Sequence, residues 1–213
     1  MSANPARTPT PQGDRTRKAI LARAVDLASA EGLEGLTIGR LATELSLSKS
    51  GLIGHFGSKE ELQLATVEAA REIFFERVVV PALAAPEGLP RLQALCDHWL
   101  AYAQQETFRG GCFFSAAASE FDGRPGPVRD RIAAILREWL DGLESAIRDA
   151  QRLHHLRAEV DAKQLAFELH ALELAANWAF QLFTDHDAPE RARRGMQARI
   201  REATQGRRYP ERS

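Results

Sequence analysis

The segment LTIGRLATELSLSKSGLIGHFGSKEEL, residues 36–62, decides the fold of the N-terminal part of this chain. Thr37, Ser48 and Ser58 each stand before a run with helical apolar spacing, and Ser and Thr are favoured helix N-caps. After Ser58, a glutamate follows at the third helical position, which is the pattern of a capping box. The segment therefore predicts two short helices separated by a turn at Ser46, and then a long helix.

A further helix is predicted upstream of this segment. Ile20, Ala24 and Leu27 recur at helical spacing, and the run stops at Gly32. These positions indicate a first helix over about residues 14–31, in a place where it can brace the two short helices.

Three helices in this order, with a tight turn between the last two, have the composition of a helix-turn-helix. We expect the motif at about residues 37–56, within a DNA-binding domain at residues 14–60. Small residues let the backbone approach the duplex, while hydroxyl and cationic groups donate to phosphates or base edges. The candidate DNA contacts are Thr37, Arg40, Ser48, Lys49, Ser50, Gly51, His55 and Lys59.

Each candidate also has an ordinary structural interpretation. Thr37 could serve only as a helix cap, Arg40 and Lys49 could be solvent-exposed charges, and His55 could pack against the neighbouring helices. A packing surface would be apolar, however, whereas the run from Ser48 to Gly51 is small and polar. Taken together, the candidates favour binding to double-stranded DNA.

Composition places the whole chain among all-α proteins. Its 213 residues are 44 % hydrophobic, which is enough for a sizeable core, and stretches with strand-like alternation are missing. We expect about nine helices. The net charge is −1, distributed as +2 in residues 1–60 and −3 in the rest. A weakly basic end on an acidic protein suits contact with phosphate at that end only.

The chain outside the motif divides into three parts. Residues 1–13 predict a flexible arm, residues 61–205 a helical domain, and residues 206–213 a basic tail. The long helix after Ser58 is expected to end before Pro81, with a proline-rich connector up to Pro90. Neither a signal peptide nor a membrane span is indicated, so we expect a cytoplasmic protein without a membrane partner.

From Ile20 to Leu64 the sequence resembles the TetR family of bacterial regulators. The resemblance implies a head that binds operator DNA, a helical body that binds a small-molecule effector, and a homodimer that acts as a repressor. One position departs from the family pattern, because Ile53 stands where a tyrosine commonly contacts phosphate. The matching positions are Thr37, Leu41, Ala42, Leu47, Ser48, Leu52, His55, Phe56, Ser58, Lys59, Glu60 and Leu62.

The body contains more aromatic surface than a minimal dimerisation module needs. In the TetR family the last two helices form the dimer, and the helices before them enclose the ligand. This organisation implies a pocket for a mostly apolar molecule. The candidate pocket residues are Trp99, Tyr102, Phe113, Phe114 and Trp139. The candidate interface residues are Leu169, His170, Leu172, Glu173, Ala176 and Asn177.

A polar stripe on the penultimate helix has three interpretations. His170, Glu173, Asn177 and Gln181 share one face of an otherwise apolar helix. They could form hydrogen bonds across a dimer, supply the polar contacts of a pocket, or be exposed. Buried polar groups need partners, which favours the first two interpretations.

Other functional classes have little support in the sequence. An all-α enzyme would need a nucleophile paired with a base, a phosphate loop or a metal motif, and none is recognisable. We expect no catalytic residue, cofactor or metal. A redox pair of Cys96 and Cys112, and a metal site at His154 and His155, are weak alternatives. A helical ligand-binding or scaffold protein without specific DNA binding is the main rival.

Overall fold

The computed structural model describes residues 11–104 and 107–204. Helices account for most of these residues, and no strand occurs among them. The helices are α1 (Pro11–Glu31), α2 (Ile38–Leu45), α3 (Lys49–Phe56), α4 (Lys59–Phe74), α5 (Val80–Leu83), α6 (Leu89–Gln104), α7 (Phe113–Phe121), α8 (Pro127–Arg152), α9 (Ala162–Phe183) and α10 (Ala188–Thr204). The all-α prediction is confirmed.

Helices α1, α2 and α3 form a small unit that we call the head, and the helices from α4 to α10 form the body. The core of the head is apolar and includes Leu41 and Leu52, which are almost fully buried. Ser46 ends α2 in the left-handed conformation with φ 53°, so the chain turns at once into α3. This geometry matches the predicted helix-turn-helix.

The long helix after Ser58 does not end before Pro81, as the sequence predicted. It passes through a π-helical turn over Phe75–Val79 and continues as α5 to Leu83. Proline lacks an N–H group and clashes with the carbonyl four residues earlier in a regular α-helix. The wider π turn lies directly before Pro81 and relieves this conflict. Counted as one helix with this turn and α5, α4 is one of nine in the described residues.

Other boundaries differ from the predictions by a few residues. Helix α1 begins at Pro11, so the last residues of the predicted arm are helical, while residues 1–10 and the tail at 206–213 lie outside the described residues. The apolar segment after Gly111 forms a full helix, α7. Asp161 caps α9, because its side chain accepts hydrogen bonds from the N–H groups of Lys163 and Gln164.

The body is a bundle in which α8 and α9 pack against each other and α10 covers α9. Its core contains large side chains from α6, α7 and α8, among them Trp99, Phe113, Leu143 and Ile147. Within the described ranges, no helix has both the length and the apolar character that a membrane crossing requires.

Polar contacts made by α7 and the loop before it join the body to the head, and two of them lie at the end of α1. The carboxylate of Glu120 accepts hydrogen bonds from the N–H groups of Leu33 and Glu34, at 2.7 and 3.0 Å. The N–H of Gly110 donates to the hydroxyl of Ser29, at 3.3 Å. Because the first contact uses two backbone groups of the head and the second uses a side chain of α1, together they fix the end of α1 and the following loop against the body.

The approach of Gly110 to α1 leaves no room for a side chain. A Cβ atom at this position would lie 1.8 Å from the carbonyl oxygen of Ser29. We therefore expect Gly110→Ala to lower the free energy of unfolding by about 1–3 kcal/mol, measured by urea denaturation. Gly123→Ala is the matched control, because a Cβ there meets no atom within 4 Å. Equal stability of the two variants would contradict the close packing of head and body.

Candidate nucleic-acid interface and ligand cavity

The two helices of the predicted motif are fixed by the side chains that the sequence suggested as caps. The hydroxyl of Thr37 accepts from the N–H of Arg40 at 3.1 Å, and the hydroxyl of Ser48 accepts from the N–H of Gly51 at 3.1 Å. Each bond satisfies an N–H that would otherwise lack a partner within its helix. These caps fix the first turns of α2 and α3 within the head.

The solvent-facing side of α3 consists mostly of small residues. Lys49, Ser50, Gly51 and Gly54 are exposed, while Leu52 and Phe56 on the opposite side pack into the head. The glycines leave the helix backbone open to close approach, and a Cβ at Gly54 would meet nothing within 4 Å. Such a surface is accessible to a DNA groove.

Ile53 is a residue of this surface that sequence reasoning did not assign to DNA. Half of its side chain, 50 %, is exposed at the centre of α3. A branched apolar group in this position can contact the methyl group of thymine. The sequence offered one indication of this exposure: Ile53 is apolar but lies outside the i, i+4 spacing of the buried residues Leu52 and Phe56.

Arg40 lies on α2 and is held by two acidic residues of the head. Its guanidinium donates to Glu31 at 2.7 and 3.0 Å and to Glu44 at 2.9 Å. These bonds raise the pKa of Arg40 and lower the pKa of Glu31, and the pKa of Glu44 is lowered by its bonds with Arg23 and then Arg40. The residue thus ties α1 to α2, and its contact with DNA remains a prediction.

Lys59 and His55 also have partners within the head. The ammonium group of Lys59 donates to Glu34 at 2.7 Å, which anchors the start of α4 to the loop after α1. The half-buried ring of His55 lies 6.2 Å from that of Phe56, centroid to centroid. Of the predicted cations on the motif, Lys49 is the one for which the described residues provide no ion pair.

The lowered pKa values around Arg40 give a pH-dependent test. Carboxylates with lowered pKa values stabilise the fold at pH above their ordinary value of 4.5, and this contribution disappears as the pH falls through the lowered values. We expect Arg40→Gln to reduce the urea midpoint at pH 7, and the difference from the parent to shrink under acid conditions. A difference that does not change with pH would contradict this role.

Arg148→Gln is the control for this experiment. Arg148 forms a single exposed pair with Glu144 on the same helix, so its removal should have a much smaller effect at every pH.

The body contains a cavity of about 140 Å³ between α4, α6, α7, α8 and α9. It contains three of the five predicted pocket residues, Trp99, Phe114 and Trp139. Tyr102 and Phe113 instead pack behind the wall, and Phe74 of α4 was missed because its spacing is that of an ordinary core residue. The cavity is lined by Phe74, Trp99, Cys112, Phe114, Ser115, Ala118, Ser119, Ile135, Leu136, Trp139, His170 and Leu174.

A second, larger cavity of about 310 Å³ lies on the other side of Trp139. Phe74, Ile135 and Trp139 line both cavities. The rings of Phe74 and Trp139 meet edge to face, with centroids 5.2 Å apart. These two rings therefore form part of the partition between the cavities.

Three residues of the polar stripe on α9, His170, Glu173 and Asn177, face the interior of their own chain, whereas Gln181 is exposed. Glu173 is fully buried and accepts from the indole N–H of Trp139 at 3.2 Å, with Nδ1 of His170 at 2.9 Å from the same oxygen. The side-chain oxygen of Asn177 accepts from the N–H of Cys112 at 3.0 Å. Burial raises the pKa of Glu173, and the hydrogen bond with His170 opposes this shift.

This orientation corrects the predicted dimer interface. Leu169, Glu173 and Ala176 are buried within their own chain, and Asn177 is nearly buried at the edge of an open pocket, so these four offer little surface to a partner. His170 lines the cavity, and the partly buried Leu172 lies beside Gly195 of α10. The sequence could not reveal this, because α9 is apolar on more than one face.

The weaker candidate sites have ordinary roles. Cys96 and Cys112 are buried, and burial raises the pKa of both thiols, which disfavours the reactive thiolate. His155 accepts from the N–H of Leu89 through Nδ1 at 3.2 Å. In residues 11–104 and 107–204, no group of three or more His, Cys, Asp and Glu side chains is placed to hold a metal ion.

Two family profiles match the chain. Residues 20–66 match "Bacterial regulatory proteins, tetR family", and residues 88–196, about half of the chain, match "Tetracyclin repressor-like, C-terminal domain". The chain belongs to the TetR family. It is thus a DNA-binding transcriptional regulator, and the helix-turn-helix head is the DNA-binding domain of that family. No curated protein sequence matches the chain at a significant level.

Solved TetR-family structures share the whole fold. A regulator from Chloroflexus aurantiacus is 27 % identical, with a TM-score of 0.84 over 91 % of this chain and 98 % of its own. A regulator from Cytophaga hutchinsonii is 18 % identical, with a TM-score of 0.80 over 92 % and 98 %. AibR, solved with isovaleryl coenzyme A and operator DNA, is 25 % identical, with a TM-score of 0.67 over 84 % and 95 %.

Proposed function

We propose that this TetR-family regulator is a homodimeric repressor of a palindromic operator, released when a small, mostly apolar molecule enters the 140 Å³ cavity. The observation that carries the proposal is the double role of α7. Phe114, Ser115, Ala118 and Ser119 of this helix line the cavity, and Glu120 binds the backbone of the head. A ligand that displaces α7 therefore acts directly on the head.

The distance between the two heads is what such a displacement would change. Two recognition helices of a dimer enter successive major grooves only when they lie about 34–36 Å apart, or a multiple of a DNA turn. Since α7 and α4 both join the cavity to the head, a small tilt of either moves α3 away from that spacing. Ligand and operator then favour different conformers, with a reciprocal coupling of typically 1–3 kcal/mol.

AibR supports the combination of ligand and operator in one protein of this fold. Its structure contains isovaleryl coenzyme A together with operator DNA. The cavity of the present chain is small and mostly apolar, so we infer an effector of modest size.

Lys49 is the residue that we propose as the main cationic contact to DNA. It is exposed at the first position of α3, whereas Arg40 and Lys59 form ion pairs with acidic groups of the head. Ser48, Ser50, Gly51 and Ile53 would then lie along the groove beside it. Thr37 and His55 are proposed to contact the backbone at the margins.

Replacing Lys49 tests the DNA-binding surface. We expect Lys49→Ala to weaken binding to an operator selected from a random duplex pool, measured by fluorescence anisotropy, without changing the melting temperature. A phosphate contact predicts uniform loss across sequences and a salt slope reduced by about 1, whereas a base contact relaxes preference at one position. Lys163→Ala, on the exposed start of α9, is the control. Unchanged affinity and slope would remove Lys49 from the surface.

The dimer is proposed on the outer face of α9. Phe167, Trp178 and Leu182 are 64, 56 and 61 % exposed, and together with Leu174 they form one apolar stripe at helical spacing. A contiguous stripe of this kind is unfavourable in water and marks an interaction surface. A second copy of the chain is the occupant we propose, because one head reads too few base pairs to select a genomic site.

A charge at the centre of this stripe should prevent dimer formation. We expect Trp178→Glu to sediment as a monomer, because two-fold symmetry brings the new carboxylates together in an apolar interface. Leu153→Glu is the control, since Leu153 is also an exposed apolar residue but lies in the turn after α8. If Trp178→Glu remains dimeric at micromolar concentration, the interface lies elsewhere.

A further inference from the structure

Aromatic rings surround the 140 Å³ cavity on several sides. Phe74, Trp99, Phe114 and Trp139 all line it, and they come from α4, α6, α7 and α8. The ring of Phe74 meets those of Phe114 and Trp139 edge to face, with centroids 6.2 and 5.2 Å apart. Aromatic faces carry partial negative charge, and cages built from them bind ammonium groups.

A buried carboxylate stands directly behind this wall. One oxygen of Glu173 is bonded to Trp139 and His170, both of which line the cavity. Its other oxygen, Oε1, is buried and has no hydrogen-bond partner in the part of the chain that the structure describes. A buried carboxylate with an unsatisfied oxygen is costly, because it has lost water and gained no donor in return.

Few positive groups within the chain are placed to offset this charge. Within the described residues, His170 is the one basic side chain at ion-pair distance from Glu173. The arginines of this region, Arg71 and Arg131, pair with Glu138 and Glu68 outside the cavity. His170 is thus the one basic group described beside Glu173, and the charge of the carboxylate also acts on the adjacent cavity.

We propose that the cavity binds a small organic cation, a primary alkylammonium with a compact apolar body. This inference rests on the proposed effector function and specifies its ligand class. The apolar body fits a space similar to the roughly 150 Å³ cavity that accommodates benzene in an engineered protein. The ammonium group contacts the aromatic faces, and the negative charge of Glu173 behind the wall attracts it.

Three ligands with one shape and different charges test the proposal. The tert-butylammonium ion, tert-butyl alcohol and pivalate share a tert-butyl group and are cationic, neutral and anionic at pH 7. Their dissociation constants are measured by calorimetry with the full-length protein and no DNA, at constant ionic strength. We expect the cation to bind at least about tenfold more tightly than the alcohol, and pivalate to bind most weakly.

The source of the preference is tested with Glu173→Gln. This change keeps the shape of the side chain and removes its charge, so the preference for the cation over the alcohol should disappear. Glu168→Gln is the control, because Glu168 lies on the same helix and pairs with Arg199 at the surface. If Glu173→Gln does not fold, the dissociation constants of the three ligands for the unaltered protein still test whether the cavity prefers a cation.

Each result has a defined meaning. Equal or tighter binding of the alcohol or of pivalate overturns the proposal, and so does a cation preference that survives in Glu173→Gln. Binding of tert-butylammonium with the expected preference supports it, whatever the effect on the operator. Operator affinity is measured separately with and without this ion, so that failure of ligand-controlled repression is distinguished from failure of the cation site.

Discussion

The hydrogen bonds between Glu120 and the loop after α1 are the contact on which the arrangement of the molecule depends. One carboxylate accepts from two successive N–H groups, those of Leu33 and Glu34. Charge-assisted bonds to backbone donors are stronger than neutral ones and fix direction as well as distance. Because Gly110 packs against the same end of α1, the head cannot turn on the body without breaking both contacts.

This junction gives the head a second connection to the body besides α4. If α4 were the sole connection, it would transmit a tilt to the head but would leave the head free to rotate about the axis of α4. Helix α7 restrains that rotation, and its inner face is the wall of the cavity. The π turn that follows α4 begins directly after the cavity residue Phe74. Both connections, α4 and α7, therefore line the same cavity. A change in the shape of the cavity therefore affects the head through both α4 and α7.

The buried pair of Glu173 and His170 shows a different constraint. An ionisable group in the middle of an apolar bundle lowers stability unless its hydrogen bonds are complete. Here Trp139 and His170 satisfy one oxygen of the carboxylate and the other is left open. Polar groups retained at such cost are found at sites of function, which agrees with their position beside the cavity rather than at a surface.

The sequence by itself determined the class of fold and the local structure of the head. Thr37, Ser48 and Ser58 cap helices in the structure as they were expected to, because capping depends on residues only two or three positions apart. Core positions such as Leu41 and Leu52 follow equally from helical spacing. Local chemistry of this kind is visible in a sequence because its partners are neighbours in the chain.

Only the tertiary structure decided which way the larger elements face. Helix α9 is apolar on several sides, so periodicity did not show that Glu173 points inward and Trp178 outward. The partner of Lys59 is Glu34, 25 residues away, and those of Leu33 and Glu34 come from α7, more than 80 residues away. Such pairs depend on the packing of whole helices, which no short stretch of sequence specifies.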